Sequence, residues 1–393
     1  MKNLLQTKLH NYFFFLLLGS LILGNLSRFS VFDGAQLYAH DVIILLWILA
    51  HFIEKKTTIS AVFLSLQKSI STSKLFQTGL ILALVLTFVH FLLSFQLFAL
   101  LYVLRLALYI FFGFSIWNSK LQLPWKSASV LAIAIAAFHG LLQYFLLPDT
   151  RFLYVLGYDD HFFRLIGTYL DPAIIGAVLL IGIITTAYTP LIANSKTRVP
   201  HLMLFVASIT LTMSRASYLG LGFVLLALLL QKKLKLGETL LSILLFCCVL
   251  VFVSIGKGSG EGVNLARTAS ISARIETVED ALPKSLQTAA IGSGLFFQSA
   301  PVTTQHDLFT TPNNARVADN FFVFLLSSFG LPVGLLLILG WMQLILLNLK
   351  KHPFSATILL TVILLSQFNA IALQPFVVLW VCLVLQNESR VKK

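Results

Sequence analysis

Charged residues are scarce in this sequence: they make up 11% of the chain, whereas hydrophobic residues make up 58%. In soluble globular proteins about a quarter of the residues are charged. Apolar runs long enough to cross a bilayer recur along nearly the whole chain, and the mean hydropathy is +0.90. The scarcity of charge therefore excludes an ordinary soluble protein and indicates a membrane protein.

Sequence signals for cofactors and metals are also absent. The three cysteines, Cys247, Cys248 and Cys382, lie in apolar runs with neither metal-ligand spacing nor a disulfide framework. The glycine-rich stretch 256–262 lacks the spacing and the terminal Lys-Ser/Thr of a phosphate-binding loop. We therefore expect no cofactor and no metal.

The apolar runs predict an all-α, polytopic integral membrane protein with about 12 transmembrane helices and one large loop subdomain on the outer face. The predicted spans are 11–26, 37–53, 75–93, 96–117, 127–147, 172–190, 200–213, 216–231, 237–255, 318–349, 354–370 and 373–387. The run 318–349 is too long for one simple span at about 1.5 Å per residue. We expect its first part to be an interfacial or broken helix that ends near Gly330-Leu331-Pro332.

Basic residues are distributed unequally between the two sides of this map. The side that holds the N-terminus carries 18 of the 28 Lys and Arg residues but only three acids, Glu54, Glu238 and Glu388. Cytoplasmic loops carry such an excess, so the net charge of +13 indicates membrane orientation rather than nucleic-acid binding. Both termini are predicted to be cytoplasmic, in a multi-pass protein of the cytoplasmic (inner) membrane.

The spans divide the chain into four parts. We predict N-terminal transmembrane helices over 1–147, central transmembrane helices over 148–255, a large outer loop over 256–317, and C-terminal transmembrane helices with a cytoplasmic tail over 318–393. A second, shorter outer loop covers about 148–171.

The first polar motif covers 164–172 and reads Arg-Leu-Ile-Gly-Thr-Tyr-Leu-Asp-Pro. Asp171 followed by Pro172 is a favourable helix start, with Asp as the cap and Pro at the first helical position. Arg164 is predicted to lie at the outer membrane boundary. It is either an interfacial arginine that reaches water or part of a site.

A second arginine, Arg215, interrupts about 30 apolar residues in a short predicted outer turn at 212–220. An arginine near hydrocarbon usually faces a polar cavity or a partner, so Arg215 is either a turn residue or a ligand-binding one. Arg105 lies deeper, in the middle of the fourth span. We expect it to pair with a carbonyl or with an acid such as Asp41.

The large outer loop contains the remaining candidates. Residues 272–289 are predicted to be helical, with Ser272 as a cap and Arg274 near the start. A turn-rich Gly292-Ser293-Gly294 stretch follows, and the loop ends at Asp319-Asn320. Asp319 is either a helix cap or a functional acid.

Three predicted outer-face arginines, Arg164, Arg215 and Arg274, suit an anionic ligand at the membrane surface. Guanidinium groups offer paired donors that match phosphate oxygens, and they stay protonated. A lipid pyrophosphate would place its charge at that depth. Stabilising the charge on a departing pyrophosphate is electrostatic work that can dominate catalysis.

The order of these motifs resembles the O-antigen ligase and O-antigen polymerase superfamily of GT-C type membrane glycosyltransferases. Its Arg-x-x-Gly-Thr-aromatic-x-x-Pro segment is matched from Arg164 to Pro172, and its Ser-Arg hairpin at Ser214, Arg215 and Tyr218. The loop Arg and Gly-x-Gly correspond to Arg274, Gly292 and Gly294. The closing His-Asn-aromatic and Gly-x-x-Gly segment is matched in part, at Asn320, Phe321, Gly330 and Gly334.

The resemblance implies a metal-independent transfer of a glycan from undecaprenyl pyrophosphate to an acceptor hydroxyl, in cell-surface polysaccharide biosynthesis. The acceptor is a glycan repeat unit in polymerases and lipid A–core in ligases, and we place polymerase slightly ahead. By carry-over, Arg164 and Arg215 hold the pyrophosphate, and Arg274, Asn320 and Tyr169 assist in substrate binding. Membrane lipids and a chain-length regulator are further candidate partners; nucleic acid is not.

Asp319 stands where the family has a histidine that assists the acceptor hydroxyl. An unperturbed Asp pKa of about 3.9 makes a weak base at neutral pH. His306, 13 residues earlier, is the alternative base. The missing histidine weakens the ligase interpretation more than the polymerase one, and it keeps a non-catalytic relative open.

A rival function of another class is a polytopic transporter of small anions or of lipid-linked glycans. Transporters usually carry ionisable groups at mid-membrane and show internal repeats. Here Arg105 is the one clear mid-span charge, no repeat is visible, and the other candidate residues cluster on the predicted outer face. The sequence therefore favours an enzyme.

Overall fold

The computed structural model describes residues 2–32, 35–55, 74–95, 97–118, 125–156, 158, 161–189, 195–255, 272, 275, 279, 290–296 and 320–385. A helix with defined bounds lies at each of the predicted spans. These helices are α1 (Lys2–Leu23), α2 (Ala39–Lys55), α3 (Lys74–Ser94), α4 (Leu97–Asn118), α5 (Trp125–Leu146), α6 (Pro172–Tyr188), α7 (Ser195–Leu211), α8 (Arg215–Leu230), α9 (Leu236–Ile255), α10 (Phe321–Lys351), α11 (Pro353–Ser366) and α12 (Pro375–Leu385).

Four of these helices, α3, α5, α9 and α10, are long and apolar enough to cross a membrane, by length and composition. Seven shorter apolar helical segments accompany them in the described residues. The chain is therefore a mostly helical membrane protein, and the number of twelve spans stays a prediction.

Helix α6 forms the centre of the larger bundle. Every residue from Pro172 to Ala187 is buried. A helix that is apolar on all sides is expected to be enclosed by neighbours, and α6 packs against α5, α7, α8, α11 and α12. Helix α6 is therefore enclosed by neighbouring helices along its length.

A smaller core joins α3 to α10. A Cβ atom on Gly340 would lie 2.5 Å from Cα of Phe76, and one on Gly79 would lie 3.1 Å from the backbone nitrogen of Leu337. Glycines at these positions allow the two backbones to approach closely, as is common where membrane helices pack. The buried members of this smaller core are Ala83, Phe321, Phe324, Leu325, Phe329, Val333 and Leu337.

Helix α10 is broken at Gly330, as the sequence predicts. Gly330 has φ 74° and ψ 170°, which is not helical. A Cβ atom on Gly334 would lie 3.0 Å from Cα of Leu326, eight residues earlier. In a straight helix such residues are about 12 Å apart, so the two halves of α10 fold sharply towards each other.

The all-α prediction was wrong in one place. Two short antiparallel strands, β1 (Arg28–Phe32) and β2 (Ala35–Tyr38), form a hairpin between α1 and α2. Arg28 pairs with Tyr38, and Phe29 pairs with Leu37. A 3-10 turn at Gly24–Ser27 leads from α1 into this hairpin.

Candidate functional site

The first motif begins in a loop held by Gln143, near the end of α5. Oε1 of Gln143 accepts hydrogen bonds from the backbone N–H groups of Ile166, at 2.9 Å, and Gly167, at 3.2 Å. Its Nε2 donates to the carbonyl of Arg164 at 3.3 Å. Gln143 is not marked by any sequence pattern, because one glutamine within an apolar helix matches no motif.

The Gly-Thr-Tyr part of the motif forms a 3-10 turn, Gly167–Tyr169, against the end of α1. Gly167 has φ 53°, and a Cβ atom there would lie 2.8 Å from Cδ1 of Ile175. The hydroxyl of Thr168 donates to the carbonyl of Ile22 at 2.6 Å. The turn is therefore fixed from two sides, and its glycine is required by close packing and by positive φ.

Tyr169 has a fully buried side chain. Its hydroxyl accepts a hydrogen bond from Nε1 of Trp380 at 2.9 Å, and its ring packs edge-on against Phe376. Burial raises the pKa of Tyr169. The ring and hydroxyl are thus engaged within the protein, so Tyr169 supports the motif from the protein core.

Asp171 caps the start of α6, as predicted. Its carboxylate Oδ1 accepts hydrogen bonds from the backbone N–H groups of Ala173, at 2.6 Å, and Ile174, at 2.9 Å. Pro172 occupies the first turn. Asp149, another acid in this region, pairs with Arg151 at 2.6 Å, and hydrogen bonds from Arg151 lower the pKa of Asp149 to about 2.

Arg164 connects the first motif to the second. Its guanidinium is buried and donates from Nε to the carbonyl of Thr212 at 3.0 Å and from Nη2 to the carbonyl of Met213 at 3.3 Å. These carbonyls follow the last turn of α7. Carbonyl groups at a helix C-terminus have no intrahelical N–H partner, so a cation is favourable there. The backbone N–H of Leu165 also donates to the carbonyl of Leu211 at 2.9 Å.

A third contact of Arg164 runs to His161, whose Nδ1 lies 3.4 Å from Nη1 of the arginine. A guanidinium can only donate hydrogen bonds, so Nδ1 accepts. This arrangement assigns the imidazole proton to Nε2.

The second motif is a tight turn that leads into α8. Met213 has φ 50°, a left-handed conformation typical of helix C-termini. The Ser214 hydroxyl caps α8 by accepting from the N–H of Ser217 at 3.4 Å. Arg215 is therefore the first residue of α8, half-buried and beside the positive end of that helix.

Asn320 caps α10. Its Oδ1 accepts from the N–H groups of Phe322, at 2.9 Å, and Val323, at 3.2 Å, while Nδ2 donates to the carbonyl of Gln367 at 3.4 Å. The end of α11 also lies beside α8, since a Cβ atom on Gly220 would be 3.1 Å from Leu365. Arg164, Arg215 and Asn320 thus lie at one end of the bundle, which we call the motif end.

Two of the predicted site residues, Arg274 and Asp319, lie outside the described residues, as does His306. In the predicted loop helix, Ser272, Ile275 and Glu279 are described, and all three are helical. Among the described residues no group of three or more His, Cys, Asp and Glu side chains could hold a metal ion.

The prediction for Arg105 is confirmed. Its Nη2 lies 3.3 Å from the Asp41 carboxylate and also donates to the carbonyl of Gln36. The hydroxyl of Tyr109 donates to the same carboxylate. This arginine therefore ties α4 to the hairpin and to the start of α2.

The comparisons with known proteins agree with the motifs. No curated protein sequence matches the chain. A family model described as O-antigen ligase matches residues 201–338, which include the second motif, the large loop and the start of α10. The first motif precedes this range. The match confirms the resemblance of this chain to the O-antigen ligase and polymerase superfamily.

Proposed function

We propose that the protein is a membrane glycosyltransferase that moves a glycan from undecaprenyl pyrophosphate to an acceptor hydroxyl. One observation carries the proposal most directly. The Arg164 side chain fixes the turn that places Arg215 at the positive end of α8, within the matched family region. An arginine at a helix N-terminus offers guanidinium and backbone donors to one anion.

In the reaction, the acceptor oxygen attacks the anomeric carbon of the donor glycan. A glycosidic bond forms, the bond from that carbon to the pyrophosphate oxygen breaks, and its electron pair leaves with undecaprenyl pyrophosphate. We assign the stabilisation of the negative charge on the leaving pyrophosphate to Arg215 and to the N-terminus of α8. Hydrogen-bond donors that are already in place where charge develops lower the activation free energy strongly.

Arg164 acts beside Arg215 in this scheme. Two of its five N–H groups donate to the Thr212 and Met213 carbonyls and hold the turn. Its positive charge at the same time lies behind the pyrophosphate. Arg274 and Asn320 are assigned to the substrate from the loop and from the start of α10. Tyr169 supports the first motif from the core.

We assign the acceptor hydroxyl to Asp319, which directly precedes the helix cap Asn320. This carboxylate accepts a hydrogen bond from the hydroxyl, and the bound substrates exclude water around it, which makes it a stronger base. It takes the proton as the glycosidic bond forms. His306 is the alternative base.

We place the motif end on the outer face of the cytoplasmic membrane and both termini in the cytoplasm. The excess of basic residues on the opposite side of the predicted map supports this orientation. Polymerase stays slightly ahead of ligase, because Asp319 replaces the family histidine.

The experiment that tests the proposal is transfer in vitro. Purified protein in liposomes receives an undecaprenyl-pyrophosphate oligosaccharide from the host pathway, and products are resolved by size. Wild type is compared with Arg215→Ala, Asp319→Ala and the control Leu219→Ala, which changes an exposed residue one turn along α8. A ladder of longer lipid-linked glycans indicates a polymerase, and a single shift of an added acceptor indicates a ligase.

The expected result is that Arg215→Ala abolishes transfer and Leu219→Ala retains it. Wild-type protein that makes no product from a competent donor and acceptor would overturn the proposal. Transfer that is unchanged in Arg215→Ala would overturn the assigned role of that arginine.

A further inference from the structure

The break in α10 leaves two backbone carbonyls without their helical donors. In a regular helix the carbonyl of Ser328 accepts from residue 332, but Pro332 has no N–H. The carbonyl of Ser327 accepts from Leu331, and the non-helical Gly330 interrupts that bond. Buried backbone carbonyls of this kind need donors from elsewhere.

A short turn of the large loop supplies those donors. The backbone N–H and the hydroxyl of Ser293 each donate to the carbonyl of Ser327 at 3.0 Å. The N–H of Gly294 donates to the carbonyl of Ser328 at 2.8 Å. We call residues 291–294 the loop latch.

Gly292 allows the latch to approach the broken helix. Its φ is 68°, and a Cβ atom there would lie 2.4 Å from the Ser328 carbonyl oxygen and 2.5 Å from the backbone nitrogen of Gly330. Both neighbours are backbone atoms that cannot rotate away. A side chain at position 292 is therefore incompatible with the docked latch.

The latch and the residues that follow it also contact two other helices. Nε2 of His90 on α3 lies 3.3 Å from the carbonyl of Ile291, and since a carbonyl accepts, His90 donates. The ring of Phe296 lies 5.6 Å from that of Tyr102 on α4 and 5.7 Å from that of Phe324 on α10. The segment thus joins α3, α4 and the first half of α10.

The latch lies apart from the main core. Leu295 and Phe296 pack against the smaller core between α3 and α10, whereas the larger core is centred on α6. Undocking the latch therefore exposes little of the larger core. Its main structural effect falls on the first half of α10, Phe321–Phe329, which begins at the cap Asn320.

We infer that the loop latch is a positioning element for the acceptor side of the proposed transfer site. By donating hydrogen bonds to the Ser327 and Ser328 carbonyls, the latch fixes the first half of α10. Asn320 caps this half-helix, and Asp319 directly precedes Asn320 in the sequence. Gly292 and Ser293 are its positioning residues. The inference rests on the proposed function and extends it to residues that touch no reacting atom.

The test compares Gly292→Ala with Gly222→Ala, whose Cβ atom would meet nothing within 4 Å. Displacement of a reacting group by about 1 Å costs about 100-fold in rate. We expect Gly292→Ala to lower kcat by about that factor and to raise KM for the acceptor, while KM for the donor stays near the wild-type value. Ser293→Ala keeps the backbone donor, so we expect it to lower kcat by less than Gly292→Ala does. Ser293→Thr also keeps a hydroxyl donor, and we expect its kcat to be near the wild-type value.

Amide hydrogen exchange separates this inference from the proposed function. We expect slow exchange at Ser293 and Gly294 in the wild type and fast exchange in Gly292→Ala. Wild-type protein with slow exchange and no transfer would overturn the proposed function alone. Fast exchange in Gly292→Ala with unchanged kinetics would overturn the inference alone. If Gly292→Ala does not fold, the test rests on Ser293→Ala. An unchanged kcat and an unchanged KM for the acceptor in Ser293→Ala would overturn the inference.

Discussion

The two arginines of the motif end differ in what surrounds them. Arg164 is buried, and its planar fork reaches two adjacent carbonyls at once. Arg215 is half-buried and begins α8. Arg164 therefore contributes to the folded structure, and in the proposed function Arg215 acts chiefly on the ligand.

This difference predicts a separation between stability and activity. Arg164→Lys keeps the charge but loses the two-point fork, so it should destabilise the protein by about 1–3 kcal/mol and also reduce transfer. Arg215→Lys should reduce transfer at nearly unchanged stability. Thermal unfolding in detergent, measured beside transfer activity, checks both. Equal losses of stability in the two variants would contradict the assignment.

The contacts of Arg164 could not be predicted from the sequence. Two of its acceptors are backbone carbonyls, which every residue has, so no pattern marks Thr212 and Met213 as partners. Gln143 matched no motif either. The partner of Arg105 was predictable, because a mid-span arginine needs an acid or a carbonyl, and Asp41 was an acid at the right depth.

Among the helices, the sharp bend of α10 depends on two residues, Gly330 and Pro332. The combination φ 74° and ψ 170° at Gly330 is essentially restricted to glycine. Pro332, two residues later, removes the next backbone donor. The bend therefore results from both residues, and the latch compensates for the lost hydrogen bonds.

Gly330→Ala is expected to lower the stability by about 1–3 kcal/mol, because alanine is strained in that backbone conformation. Gly222→Ala is the matched control: it lies in a helix with open space around it and should be neutral or slightly stabilising. Thermal unfolding of both variants in the same detergent gives the comparison. A Gly330→Ala protein as stable as the control would show that the bend is not imposed at this residue.

The helices were more predictable than the segments between them. Long apolar runs mark a helix in a membrane chain regardless of its neighbours, and the predicted helix start at Pro172 and helix break at Gly330 have local causes. The hairpin Arg28–Tyr38 was missed because a short strand depends on its partner. The Asp33-Gly34 pair between two short apolar stretches was the available signal.

For the molecule as a whole, the proposed orientation places the large loop and the chain termini on opposite sides of the membrane. In a chain whose native cysteines are replaced by serine, Ser259→Cys should react in intact cells or spheroplasts with a membrane-impermeant maleimide. Lys392→Cys should react only after the membrane is opened. Reaction of both from outside, or of Lys392→Cys alone, would contradict the proposed orientation.

Glycan transfer by this protein is tested most simply by counting the undecaprenyl pyrophosphate released for each glycosidic bond formed. The liposomes contain only the purified protein, the lipid-linked donor and an acceptor. We expect one undecaprenyl pyrophosphate to be released for each bond formed, and we expect both products to be lost in Arg215→Ala. Movement of intact donor across the bilayer, with no bond formed and no pyrophosphate lipid released, would contradict the account and identify a transporter instead.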